Sequence, residues 1–212
     1  MRPGLVRRQH RCKNVVVAEV LPIRLYGDPI LRKKARPVED FSEIPEIAAS
    51  MFETMFEAGG VGLAGPQVGL QKRIFVAALY HDEPEEGEEE IPLKARVKAQ
   101  YVLVNPKITF AEGEAVGTEG CLSLPGLYSD EVPRNFRVRV EYQDEHGEPK
   151  VLEAEDYLAR IIQHEFDHLE GVLFFDRLPP ELRRQFLEEN RAELARMQRE
   201  AKAFLRELAG KR

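Results

Sequence analysis

The spacing of apolar residues along the chain predicts three helices. Between residues 42 and 58, apolar side chains recur at the 3.6-residue period of a helix that buries one face. The same period covers residues 155–169, and a longer, more polar version covers residues 181–208. In the first helix, Ser42 is placed to cap the N-terminus and Pro45 falls in the first turn. Two glycines directly after that pattern predict its end.

Shorter runs rich in β-branched and aromatic residues predict strands between the first and second helices. An Asn-Pro pair between two of these runs predicts a kink, and the last two runs flank a polar turn that predicts a hairpin. The predicted strands are Arg73–Leu79, Tyr101–Val104, Lys107–Ala111, Phe136–Gln143 and Lys150–Glu153.

Two segments break these patterns. Residues 1–20 are basic, with no acid before Glu19, and we expect a disordered tail there. Residues 81–100 include a dense acidic run, which we expect to form an exposed insertion between two strands because its like charges repel one another. The chain therefore divides into the tail, a compact domain over residues 21–178 and an amphipathic helical segment over residues 179–212.

Composition restricts the class of protein. The 212 residues are 43% hydrophobic and 32% charged, which is ordinary for a globular protein in water. A net charge of -6 gives no general case for nucleic-acid binding. No apolar run approaches the ~20 residues of a membrane helix, and no signal peptide is recognisable. The two cysteines, Cys12 and Cys121, are too few for a disulfide framework and fit a reducing compartment.

The strongest chemical signal is the pattern His-Glu-x-x-His within the second predicted helix. His164 and His168 lie four residues apart, so both imidazoles can reach one metal ion from the same helix face. Glu165 is adjacent and can act as a base toward a water bound to that ion. The surrounding residues are mostly apolar, and a buried helix tolerates histidines only when they have partners.

A catalytic ion usually has three protein ligands, and the sequence leaves the third one open. Gly171 would fit a metzincin protease, but Phe174 occupies the position of that class's third histidine. A thermolysin-type site would take a glutamate about twenty residues on, where Glu188 and Glu189 are candidates. The other candidate is Cys121, on a glycine-bounded loop upstream.

Three stretches, in this order, resemble the signature motifs of the peptide deformylase family. They are the glycine-rich Gly60–Gln67, Glu119–Ser123 with the sequence Glu-Gly-Cys-Leu-Ser, and His164–His168. The resemblance covers roughly residues 21–178. The family usually has alanine where this chain has Gly65, a difference that we expect to loosen the loop slightly.

The resemblance implies a metal site and a reaction. One divalent ion would be bound by Cys121, His164 and His168, with Fe²⁺ as the native metal and Zn²⁺, Ni²⁺ or Co²⁺ as substitutes. A water activated by the ion would attack the formyl group of an N-formylmethionyl peptide, with Glu165 as the general base. The reaction would release formate.

The resemblance also assigns residues that support this reaction. The Gln67 side chain and the Leu122 backbone N–H would stabilise the oxyanion, and Gly62 would contact the substrate through its backbone. Glu119 would be a structural residue, for which Arg134 is our hypothetical partner. The methionine side chain needs an apolar pocket, for which the metal-binding helix is a plausible wall.

The implied fold and partners complete these expectations. The fold would be α+β, with antiparallel sheets around a central metal-binding helix and a C-terminal helix. The protein would act in the bacterial cytoplasm, with no membrane contact and no nucleic-acid site in the catalytic domain. The basic C-terminal helix would either bind the ribosome or pack its apolar stripe on the core or on a second copy.

Overall fold

The computed structural model describes residues 18–81 and 91–210. The expectations for most of the basic tail, including Cys12, and for the acidic run at 82–90 lie outside these residues. The described chain contains helices and strands in the following order: α1 Ile44–Glu57, β1 Gly62–Ala64, β2 Ile74–Tyr80, β3 Val97–Glu112, β4 Ala115–Cys121, β5 Leu124–Arg134, β6 Arg137–Gln143, β7 Pro149–Glu155, α2 Asp156–Leu169, α3 Pro180–Glu189 and α4 Arg191–Gly210.

Two antiparallel sheets surround α2. Five strands form one sheet in the order β1-β2-β3-β6-β7, and β4 and β5 form a separate hairpin. Ile162 and Leu169 of α2 are fully buried in one apolar cluster with Phe75 and Leu103 of the larger sheet. The predicted α+β architecture, with antiparallel sheets around the His-Glu-x-x-His helix, is therefore what the structure has.

The first predicted helix is present, but its predicted start is wrong. Helix α1 begins at Ile44, and Glu43 precedes it without a side-chain cap. Ser42 makes no cap, and its own backbone N–H donates to Asp40 at 2.9 Å. Pro45 does lie in the first turn, as predicted. The short polar turn at Asp40 therefore competes with the capping geometry that the sequence suggested.

Three predicted strand boundaries also change. The two runs around the Asn-Pro pair form one long strand, β3, with a bulge where Asn105 adopts a positive φ of 51°. Residues 97–100 belong to this strand and pair with β2, so the proposed insertion over 81–100 is too long at its C-terminal end. The loop expected around Cys121 is instead the β4–β5 hairpin. The predicted hairpin of β6 and β7 is confirmed.

The C-terminal segment is two helices rather than one. Helix α3 ends at Glu189, and the next residue, Asn190, donates both its backbone N–H and its side-chain amide to the carbonyl of Phe186, at 3.1 and 2.8 Å. The apolar stripe is real, because Phe186, Leu194 and Met197 are buried in a cluster with residues of β5. The expectation that this stripe packs on the core is therefore confirmed.

Candidate metal centre

Two histidines on one face of α2 form the base of the site. His164 and His168 lie one helical turn apart, so their rings project to the same side. Their Nε2 atoms are 3.2 Å apart, and both side chains are buried. Burial lowers the pKa of His168 well below its usual value, which favours the neutral imidazole that binds metals. Burial would also lower the pKa of His164, but contacts with Cys121 and Glu119 instead raise it well above its usual value, so His164 must lose its proton when a metal binds.

Cys121 brings a sulfur atom to the same point from the end of β4. Its Sγ lies 3.3 Å from Nε2 of His168. The sulfur and one nitrogen of each histidine all lie within 4.8 Å of one another. The residues that the resemblance implied as ligands, although far apart in the sequence, are thus brought together by the folding of β4 against α2.

The donor atoms suit a divalent transition metal. A thiolate and two imidazoles are ligands that zinc and ferrous iron both accept. Within the described residues, Cys121, His164 and His168 form the group of three or more potential ligands that could hold an ion. Three protein ligands leave a further position for water, as in catalytic sites. The alternative ligands Glu188 and Glu189 are exposed on α3 and do not belong to this group.

Glu119 orients His164 from behind. Its Oε2 lies 2.8 Å from Nδ1 of His164, and such a contact leaves Nε2 available to a metal. Arg134 donates to both oxygens of the same carboxylate, at 2.8 and 2.9 Å, so the hypothesised pair is confirmed. Burial alone would raise the pKa of Glu119, but hydrogen bonds from Arg134 and His164 lower it to about 2. The carboxylate is therefore charged at neutral pH.

Glu165 has one oxygen without a partner. The side chain is 3% exposed, and its Oε2 is buried with no hydrogen-bond partner among the described residues. Burial raises the pKa of this carboxyl to about 7, although the nearby His164 acts to lower it. A carboxyl group with a pKa near neutrality can both accept and return a proton.

Gln67 presents an amide N–H to the same site. Its Oε1 accepts a hydrogen bond from the backbone N–H of Ala64 at 2.7 Å. This contact assigns the orientation of the amide, so that Nε2 lies 3.5 Å from Sγ of Cys121 and 3.4 Å from Oγ of Ser123. Gln67 is fully buried. A donor held in this way can stabilise negative charge that develops beside the sulfur.

A cleft of about 440 Å³ opens onto these groups. Helix α2 contributes Tyr157 and Ile161 to its wall, which agrees with the expectation that this helix borders an apolar pocket. Six of the residues proposed for the site line the cleft: Gly62, Gln67, Cys121, Leu122, His164 and Glu165.

Comparison with known proteins identifies the family. A family profile described as "Polypeptide deformylase" matches residues 20–184, which is most of the chain. The chain belongs to the peptide deformylase family. A peptide deformylase of Thermus thermophilus is 66% identical over 190 residues, which are 90% of this chain and 98% of that relative. The peptide deformylase of Acidothermus cellulolyticus is 46% identical over 166 residues, 78% of this chain and 82% of that one.

Solved deformylase structures confirm the fold. The crystal structure of a peptide deformylase from Thermus thermophilus matches with a TM-score of 0.78 and 60% identity, covering 86% of this chain and 99% of that one. A peptide deformylase from Synechococcus elongatus, solved in complex with actinonin, gives a TM-score of 0.68 and 39% identity over 82% and 90% of the two chains. The chain is thus a hydrolase that removes N-terminal formyl groups.

Among its described residues, no helix is long and apolar enough to cross a membrane.

In this deformylase, sequence reasoning missed part of the network behind the histidines. Arg134 also donates to Asp167 at 2.6 Å, and Arg177 donates to the same carboxylate at 2.9 Å. Arg160 adds a further contact, with Nη1 2.9 Å from Glu119. The sequence did offer one indication of this network, because Asp167 lies on α2 three residues after the first histidine. Its arginine partners come from distant segments that no sequence pattern joins to it.

Proposed function

We propose that Cys121, His164 and His168 bind one divalent ion and that this site deformylates N-formylmethionyl peptides. The observation that supports the proposal is the convergence of one sulfur and two imidazole nitrogens at a cleft that Glu165 also lines, with one buried carboxylate oxygen of Glu165 left without a partner. We further propose Fe²⁺ as the native ion, with Zn²⁺, Ni²⁺ or Co²⁺ able to replace it, because this donor set accepts all of them. When bound, the ion would acidify a water and polarise the formyl oxygen.

The side chains of the cleft would carry the proton transfers. Glu165 would accept a proton from the attacking water through its unpaired oxygen and deliver it to the leaving amine, so that formate and a free N-terminal amine are formed. Its pKa of about 7 suits both steps near neutral pH. The side chain is walled off from bulk water, which strengthens its interactions with developing charge.

Two N–H groups would stabilise the oxygen that becomes negatively charged. The Nε2 of Gln67 is fixed toward the site by the bond between its Oε1 and Ala64, and the backbone N–H of Leu122 would be the second donor. Gly62 would approach the peptide through its backbone. Removing one such donor typically lowers kcat about 10²–10³-fold.

Formate release is the direct test of this function. Protein purified anaerobically should release formate from a formyl-methionyl peptide, and iron measured on the same sample should approach one ion per chain. Cleavage of internal peptide bonds without formate would instead support a zinc peptidase. The cytoplasm of a bacterium, where formylated nascent chains are made, is the compartment that we propose for the reaction.

We also propose that exposed basic residues of α4 contact the ribosome. Arg199, Lys202 and Arg206 are exposed on this helix, whereas Arg196 is paired with Glu193 and Glu200. Deleting the helix would also remove part of the core, so charge reversal is the better test. Replacing the three exposed residues by glutamate should abolish salt-sensitive pelleting with ribosomes while leaving deformylation of a free peptide unchanged. Unchanged pelleting would exclude the contact.

A further inference from the structure

Residues 24–26, which we call the strap, bridge the two segments that surround the Cys121 sulfur. The backbone N–H of Arg24 donates to the carbonyl of Gln67 at 2.7 Å, and that of Tyr26 donates to the carbonyl of Ser123 at 2.9 Å. Both acceptor residues contact the sulfur: Gln67 through Nε2 at 3.5 Å and Ser123 through its backbone N–H at 3.4 Å. A displacement of the strap would therefore move both Gln67 and Ser123 relative to the sulfur.

The side chain of Arg24 anchors the strap against the loop that carries Gln67. Its guanidinium lies on Gly69, where an added Cβ would come within 2.5 Å of Nη2. Its Nη1 forms an ion pair with Asp28 at 3.3 Å. Asp28 is itself fixed, because its Oδ1 accepts from the backbone N–H of Ile30 at 2.9 Å. The arginine thus fills a space that only glycine leaves open.

Helix α4 covers the strap from outside. The ring of Phe204 lies over the guanidinium of Arg24, with 4.8 Å between Cζ and the ring centroid. Earlier in the same helix, Gln198 lies directly on Gly27, where an added Cβ would be 2.7 Å from its Cα. Tyr26 packs against the apolar cluster that contains Met197. The guanidinium is therefore enclosed by a ring face, a carboxylate and a glycine, which restricts its motion.

We propose that Arg24 is a positioning residue for the Gln67 amide and that Phe204 supports it. The C-terminal helix would then affect deformylation through the strap, without touching the substrate. This inference rests on the proposed role of Gln67 as an oxyanion donor. It goes beyond a role in stability, because the strap hydrogen bonds end on groups beside the reacting atoms.

The inference is tested by steady-state kinetics of variants of the full-length, metal-loaded enzyme. Arg24→Met and Phe204→Leu should each lower kcat on a formyl-methionyl peptide about tenfold, less than the ~10²–10³-fold expected from Gln67→Ala. KM and metal content should stay within about twofold of the parent. Lys94→Met is the matched control, because Lys94 also lies over a ring and pairs with an acid, but those partners are Phe56 and Glu53 of α1 and not residues of the strap. Its kcat should not change.

A double-mutant cycle separates positioning from general destabilisation. If Arg24 acts through the amide, Arg24→Met should lower kcat no further in the Gln67→Ala background. The same tenfold loss in both backgrounds, or a change confined to melting temperature, would overturn the inference and leave the proposed function intact. Full kcat in Gln67→Ala would overturn both the inference and the role proposed for Gln67.

Discussion

Gly62 lies against the carboxylate of Glu165 with no room for a side chain between them. A Cβ built on Gly62 would be 2.3 Å from Oε1 of Glu165, far inside van der Waals contact. The lack of a side chain at this position of β1 therefore lets the carboxylate occupy its place in the site. A substitution at Gly62 therefore tests whether the position of the Glu165 carboxylate matters for the reaction.

We expect Gly62→Ala to displace the Glu165 carboxylate by about 1 Å. Such a misplacement typically costs about 10²-fold in rate, so kcat/KM should fall by that order while metal content is retained. Steady-state kinetics with metal analysis on the same preparation measures both. Wild-type kcat/KM would mean that Glu165 is not held by this contact.

Gly65→Ala should act on stability instead of on the reaction. Its Cβ would meet the backbone oxygen of Lys72 at 2.7 Å, and backbone cannot give way as a flexible side chain can. We expect a loss of about 1–3 kcal/mol in the free energy of unfolding, measured by denaturant titration. Gly210→Ala is the control, because nothing lies within 4 Å of that position. A neutral Gly65→Ala would show that the loop can shift.

The close packing around Gly65 also bears on the family resemblance. Alanine, the residue expected there from the resemblance, does not fit this loop without movement. The backbone of Lys72 fills the space that the missing side chain leaves, and the expectation that Gly65 loosens the loop stays a prediction.

Arg134→Ala should destabilise both the protein and its metal site. Glu119 and Asp167 would lose their shared partner. Arg160 and Arg177 would still pair with them, so we expect a cost of about 3 kcal/mol, the lower end for a broken buried pair. For a chain of this size the melting temperature should fall by roughly 6–12 °C. Metal affinity should fall about 10–100-fold, because Glu119 orients His164.

Arg137→Ala provides the contrast for that experiment. Arg137 also pairs with two acids, Glu112 and Glu155, but all three side chains are about half exposed. Such surface pairs contribute about 0–1 kcal/mol, so this variant should melt close to the parent protein. Equal melting temperatures for the two variants would mean that the buried network contributes little.

Cys121→Ala tests which residue is the third ligand. Without the sulfur, two imidazoles remain, and the ion content should fall from about one per chain to a small fraction of that. The double variant Glu188→Ala with Glu189→Ala removes both alternative ligands, which are exposed on α3, and should keep its metal. Metal analysis after gel filtration decides between them, and retention of the ion by Cys121→Ala would refute the proposed site.

Glu165→Gln should separate proton transfer from metal binding. The amide keeps the size of the side chain but cannot accept the proton, so kcat should fall about 10²–10⁴-fold with metal content unchanged. Glu170→Gln is the control at the end of the same helix, because Glu170 pairs with Lys34 and Arg73 away from the cleft. Near-normal kcat in Glu165→Gln would exclude a general-base role.

The sequence predicted those parts of the fold that depend on residues close together in the chain. The spacing of His164 and His168 follows from helix geometry alone, so their convergence was expected. Strands β2, β6 and β7 were found because runs of β-branched and aromatic residues are typical of strands; β6 alternates between buried and exposed positions, whereas β2 is a continuous buried run. The two-helix C-terminus was missed because the break at Asn190 lies inside one continuous helical pattern, and the amide contact of Asn190 with the carbonyl of Phe186 is not visible in the sequence.

The tertiary parts of the site depended on resemblance or were missed. Spacing alone left Cys121, Glu188 and Glu189 open as candidates for the third ligand. The expected cap at Ser42 was lost to a bond with Asp40. Asp167 and its arginines join three segments, and the contact of Arg24 with Phe204 joins two chain regions that no periodicity relates.

The contact between Arg24 and Phe204 has a consequence for how the chain is made. Synthesis proceeds from the N-terminus, and a domain folds as a unit. The strap and all three metal-binding candidates precede α4 in the chain, but α4 supplies part of the core through Leu194 and Met197. The donor atoms would therefore be held in place only at the end of synthesis, when α4 emerges and its final turns enclose Arg24.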